Sequence, residues 1–160
     1  MQTSGKLFVG VYKEQIMEIK FKQKTKKGIV NINLPVEVNF VVNKEKGTVA
    51  AIAIFKGDEA FRVASRFMDN AVTPEKNMYN AADYLTLLFA KRSEFFDNVF
   101  MPPYCHVTTH CSSDDVFNEE EGIRIAEERM KEKLTSMILH RVRKIGRELK
   151  KYGKAMCEEV

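Results

Sequence analysis

The hydrophobic period changes at Gly57, and that change constrains the fold more than any other feature. Before Gly57 the period is two. In IMEIKFK, Met17, Ile19 and Phe21 alternate with Glu18, Lys20 and Lys22. In VEVNFVVN, Val36, Val38, Phe40 and Val42 alternate with Glu37 and Asn39. A period of two places one face of each strand in a core and the other in water. The breaks KTKKG and NKEKG each end in Gly, as hairpin loops do. TVAAIAIF is apolar on both faces and reads as a central strand. Short sequential strands pair with their neighbours, so residues 1–56 are expected to form an antiparallel meander of about four or five strands.

After Gly57 the period lengthens to that of a helix. Asp58 stands as an N-cap before EAFRVASRFMDN, with Phe61, Ala64 and Met68 on one face. In TPEKN, Thr73 caps a second helix and Pro74 sits in its first turn. Tyr84, Leu88, Phe95 and Val99 continue it, and MPPY stops it. The fold class expected is therefore α+β: an N-terminal antiparallel β-meander, a helical stretch over 58–100, a short strand over 104–111 and one long C-terminal amphipathic helix over 118–153. At 160 residues this is one domain with a substantial core.

The long helix is the other strong signal. Asn118 is a good N-cap, and Glu121 three residues later completes a capping-box pattern. Glu119, Glu120 and Glu121 lie where the helix dipole favours negative charge. From Glu119 to Tyr152 there is no proline. Leu134, Ile138, Val142, Ile145, Leu149 and Tyr152 step by threes and fours as one apolar stripe. At about 100° per residue, His140, Arg143, Lys144, Arg147, Lys150, Lys151 and Lys154 gather on the opposite face, with Arg129 and Lys133 extending the row backwards. A helix this long is expected to dock along its length or to pair with another copy, so a homo-oligomer is expected. The stripe also offers a dimer seam, and Gly146 is expected to lie inside it, where it costs about 1 kcal/mol relative to Ala unless close packing needs it.

Between Pro103 and Ser112 lies a mirror, Cys105-His106 and His110-Cys111. The β-branched run Val107, Thr108, Thr109 favours a strand. Successive residues of a strand face opposite ways, so the cysteines share one face and the histidines the other. The four do not converge on one ion, and no C-x-x-C pair is present, so no metal site is assigned. An odd three cysteines and no secretory signal point to reduced thiols in a cytoplasm. No apolar run reaches the ~18 residues of a membrane span. The chain has no P-loop, G-x-G-x-x-G, G-x-S-x-G or H-E-x-x-H motif, and a binding protein without cofactor is expected rather than an enzyme.

The segment CSSDDVFNEEEGIRIAEER, Cys111 to Arg129, resembles a C-terminal pattern of small phage accessory proteins. In that pattern a strand ends in Cys, and C-x-x-x-D-x-F-[D/N], Gly, Ala and Arg follow. Here these are Cys111, Asp115, Phe117, Asn118, Gly122, Ala126 and Arg129. Common members have Pro where this chain has Ser113. The segment covers about twenty of the 160 residues. It is similar to that of the anti-Thoeris sponges, phage proteins that bind cyclic ADP-ribose isomers and sequester them without hydrolysis. That family is a β-sheet followed by helices, and it oligomerises. The resemblance implies a phage-encoded counter-defence protein of the host cytoplasm that sequesters a nucleotide immune signal, with Arg129 and Ser112 as ligand contacts. Phe117 offers a ring to a base or a plug at the helix entry, and Lys133 adds a cation one turn beyond Arg129. The alternative is a nucleic-acid-binding module or an inhibitor of a host defence nucleoprotein such as a CRISPR effector. It would act through Arg143, Lys144, Arg147, Lys150 and Lys151.

Overall fold

A computed structural model describes residues 11–25, 28–71 and 101–158. The elements run β1 (Val11–Thr25), β2 (Gly28–Asn43), β3 (Thr48–Ile54), α1 (Glu59–Ala71), β4 (Tyr104–His110) and α2 (Glu119–Glu158). The four strands form one antiparallel sheet in the order β1-β2-β3-β4. The fold is thus α+β, a sheet followed by helices that include a long C-terminal one. The expected helix after Thr73 lies outside the described residues.

β1 and β2 pair along their whole length, from Val11 opposite Val42 to Thr25 opposite Gly28. The second strand is longer than its clearest alternation, Val36 to Val42. It continues back through Ile32 and Leu34, whose neighbours Asn31, Asn33 and Pro35 are exposed. Pro35 is tolerated because β2 meets β3 only from Glu37 onward, so its missing N–H faces no strand there. β3 holds the interior position that its apolar run implied, between β2 and β4. The turn between β2 and β3 is closed by Asn43, whose Oδ1 accepts the Lys46 N–H at 3.0 Å. Gly47 ends that turn at φ 59°, a conformation that favours glycine.

The alternation of β1 and β2 sorts into faces, with one correction: Asn39, expected on the wet side, is buried. Met17, Ile19, Phe21, Ile32, Leu34, Val36, Val38, Phe40 and Val42 are buried on one side with Val49, Ala51 and Ala53 of β3. α2 covers this face. Its Ala126, Met130, Leu134 and Ile138 have no exposed surface, and each large side chain so buried stabilises the fold by about 1.5–3 kcal/mol. Small residues on β3 let the helix approach, and the approach is close at Gly122. A Cβ there would lie 2.7 Å from Cγ2 of Val49.

α1 packs on the ribbon of β1 and β2. Gln23 donates from Nε2 to the Phe67 carbonyl at 2.8 Å, and Arg66 donates to the Asn33 carbonyl at 3.0 Å. The buried side of α1 is Ala60, Val63 and Ala64, with Phe67 packed against the core. Phe61 is only half-buried, so the apolar face lies about a third of a turn from Phe61 (the side chain of Met68 is outside the described residues). Asp58 does precede the helix, but its Oδ2 receives the Arg62 guanidinium at 3.0 Å.

The apolar stripe of α2 is used within this chain. Leu134, Ile138 and Ile145 are buried and Val142 is half-buried, so over this stretch the stripe is not left for a second copy. Leu149 and Tyr152 carry side chains outside the described residues. Gly146 does not belong to the stripe: it is exposed, and nothing lies within 4 Å of a Cβ built on it.

Candidate functional site

A recess of about 340 Å³ opens where three parts of the chain meet. They are the turn between β2 and β3, the exit of β4 and the first turns of α2. The cysteine that ends the β4 segment anchors the junction. Cys111 N–H donates to the Gly47 carbonyl at 2.7 Å, and a Cβ on Gly47 would lie 3.1 Å from that of Cys111. Lys44 of the same turn pairs with Glu119 at 3.1 Å, tying the turn to the start of α2. The chain then folds back through a turn in which Asp115 N–H meets the Ser112 carbonyl at 3.1 Å.

The helix start forms as its residues dictate. Asn118 Oδ1 accepts the Glu121 N–H at 3.1 Å, which satisfies one of the helix's otherwise unpaired donors. The reciprocal half of the expected capping box is replaced. Glu121 turns instead to Arg124, which contacts both its oxygens at 2.6 and 2.9 Å and also reaches Glu128 at 2.6 Å. The Arg124 hydrogen bonds hold the Glu121 carboxyl below its ordinary range, and Glu121 in turn raises Arg124. Glu121 lines the recess, and its charge is partly compensated by Arg124, which it shares with Glu128.

Asn118, Gly122, Ile125 and Arg129 step by threes and fours, so one face of α2 lines the recess. Ser112, Phe117 and Arg129 all contribute to it. Ser112 and Arg129 are exposed, and Phe117 is half-buried against the core. Phe117 therefore plugs the helix entry and shows part of its surface to the recess. Arg129 makes no ion pair among the described residues, unlike Arg124. Its guanidinium is a free bidentate donor at one end of the recess, with Asp115 and His110 elsewhere on the wall.

Lys133 stands apart from this group. Its Nζ donates to the His106 carbonyl at 2.8 Å and so covers part of the outer edge of β4. Gly47 is the wall that sequence reasoning missed. Nothing in the local pattern joins it to Cys111 across 63 intervening residues.

The mirrored cysteines and histidines are divided as a strand divides them. Cys105 is buried with Sγ 3.7 Å from Sδ of Met130, and burial pushes its thiol pKa up, partly offset by the charge of Lys133. His106 and His110 are exposed, and Cys111 lies past the end of β4. Among the described residues no group of three or more His, Cys, Asp or Glu is placed to hold a metal ion.

The basic row lies further along α2, with Arg143 about 20 Å past Arg129 on a rise of ~1.5 Å per residue. Arg143, Arg147, Lys150 and Lys151 are exposed and Lys144 is half-buried. Lys151 pairs with Glu148 at 3.1 Å. Among the described residues, Arg143, Lys144, Arg147 and Lys150 have no ion pair.

Compared with models of protein families, with curated proteins and with solved structures, the chain finds no match.

Proposed function

We propose that the protein is a non-enzymatic binding protein that takes a nucleotide-type small molecule into the recess between Gly47, Ser112 and Arg129. The observation that supports this reading is the gathering of Ser112, Phe117 and Arg129 around one cavity. Its volume falls in the ~300–1,000 Å³ range of small-molecule sites. Arg129 pairs with a phosphate through two parallel N–H donors. The Ser112 hydroxyl donates to a second oxygen, and the exposed edge of Phe117 packs on a base. Glu121 is bound by Arg124, which weakens its repulsion of the phosphate.

The biological setting follows from the resemblance of the Cys111–Arg129 segment. The protein is a phage-encoded counter-defence factor that sequesters an immune signal in the host cytoplasm. No described helix is long and apolar enough to cross a membrane. A homo-oligomer is part of the same proposal, and a solution mass above 18.4 kDa is expected.

Thermal melting against a panel of signalling nucleotides tests the reading, with cyclic ADP-ribose isomers and cyclic di- and trinucleotides included. A ligand at about a hundred times its dissociation constant stabilises by about 2.7 kcal/mol, a shift of several degrees. Arg129→Ala is expected to abolish that shift while leaving the melting of the free protein unchanged. A panel without a shift, or a full shift in Arg129→Ala, sinks the proposal.

A further inference from the structure

We infer that the exposed face of α2 around Arg143, Arg147 and Lys150 is a second binding surface, and that it takes the phosphate backbone of duplex DNA without reading sequence. The inference does not rest on the recess, and its test contains no signalling nucleotide.

The first half of α2 shows how this chain handles a helical cation when nothing else is to be bound. Arg124 sits between Glu121 and Glu128, and Lys131 pairs with Glu127 at 3.0 Å. In the second half Lys151 still pairs with Glu148, but three other cations are arranged differently. No carboxylate stands three or four residues from Arg143, Arg147 or Lys150. Cations stand there instead: Arg147 has Arg143 behind it and Lys150 and Lys151 ahead. Like charges at that spacing repel one another, so the arrangement opposes the helix that carries it. A polyanion laid along the face removes the repulsion.

The geometry suits a phosphate strand. At about 100° of rotation and ~1.5 Å of rise per residue, the three side chains lie within about 60° of arc and about 10 Å of length. Gly146 stands beside them, exposed, with open space where a side chain would be. A phosphate backbone can therefore approach the helix backbone between Arg143 and Lys150. An anionic membrane fits this face less well. A helix that lies on lipid inserts an apolar side, and here that side, Ile138 and Ile145, is buried in the protein. Single strands are disfavoured too, because α2 carries no Phe, Tyr or Trp between Arg129 and Lys151 on which bases could stack.

The experiment is fluorescence anisotropy of the full chain with duplex DNA of two unrelated sequences, repeated across salt. Contacts from Arg143, Arg147 and Lys150 to three phosphates give a slope of log affinity against log salt near about −2.7, a loss of about 40-fold between 50 and 200 mM. The two sequences are expected to bind alike. The double variant Arg143→Gln/Arg147→Gln is expected to flatten the slope by about 2. Arg143→Lys/Arg147→Lys is expected to retain the slope, because the charges remain. Absence of binding at 50 mM salt overturns the inference. So does a slope that the Gln variant leaves unchanged, and so does tighter binding to anionic vesicles than to DNA.

Discussion

The two halves of α2 are one continuous helix with two different chemistries. From Glu119 to Leu139 it carries six Glu and four Arg or Lys; from His140 to Glu158 it carries two Glu and seven Arg or Lys. The first half presses Ala126, Met130, Leu134 and Ile138 into the sheet, and its Arg124 and Lys131 are paired with carboxylates along the helix. The second half keeps Ile145 buried yet leaves three cations without a nearby carboxylate. A single secondary structure can thus be anchored by one end and left chemically unsatisfied at the other. Where local charge arrangement works against the helix, its explanation lies outside the helix.

The comparison breaks most visibly at a core position. Leu134→Ala is expected to cost about 2–5 kcal/mol, because Leu134 has no exposed surface and the sheet beneath it cannot collapse into the gap. Denaturant midpoints measure this. A loss under 1 kcal/mol would mean that the first half is not the anchor.

The two glycines of α2 give a sharper contrast, since the same substitution is expected to act with opposite signs. Gly122→Ala pushes a methyl to 2.7 Å from Cγ2 of the buried Val49, and overpacking of that kind costs about 1–3 kcal/mol. Gly146→Ala meets open space in an exposed helix and is expected to stabilise by up to about 1 kcal/mol. Thermal melting of both variants reads the difference directly, at about 2–4 °C per kcal/mol for a chain of this size. Equal destabilisation by both would show that Gly146 also serves a close contact.

The smallest expected effect concerns the buried thiol beneath the first half. Burial raises the pKa of Cys105 above its ordinary value of 9.0, so the folded state holds this proton more tightly than the unfolded state does. The stability it gives is complete below the unfolded thiol's pKa and is lost as pH rises through the folded one. Urea midpoints of the native chain are therefore expected to fall further between pH 8 and 10.5 than those of Cys105→Ala. Parallel curves for the two proteins would remove the effect.

Much of this fold is legible in the sequence, because alternation on β1 and the stripe on α2 are both one-dimensional patterns. Met17, Ile19 and Phe21 announce a buried face without help from any neighbour. The first half of β2 is harder to read. Its alternation of Ile32 and Leu34 is interleaved with Asn31, Asn33 and Pro35, residues that disfavour strands, and Pro35 is admitted because β3 does not reach it. Phe61 misleads because Ala60 and Val63 are small, and a large aromatic beside them draws the apolar face toward itself. In the recess, Arg129 and Phe117 are readable through the Cys111–Arg129 segment and the helix spacing. Gly47 is not readable, since a turn acquires its meaning only when β4 pairs beside it. Lys133 is aligned with Arg129 by helical spacing, yet its ammonium donates to a backbone carbonyl on β4.

The pairing of β4 with β3 has a consequence for how the molecule comes into being. β1, β2 and β3 follow one another through short turns, but Val49 finds its partner only at Thr109. A loop of that length adds entropy to be overcome before its contacts return any stability, and such pairings are formed late. During synthesis from the N-terminus, β3 waits as a bare edge and the core face of the ribbon waits for α2. The recess, framed by Gly47 on the early side and Cys111 and Arg129 on the late side, is therefore among the last features to be assembled. A chain stalled before residue 104 would have most of its sheet and no binding site.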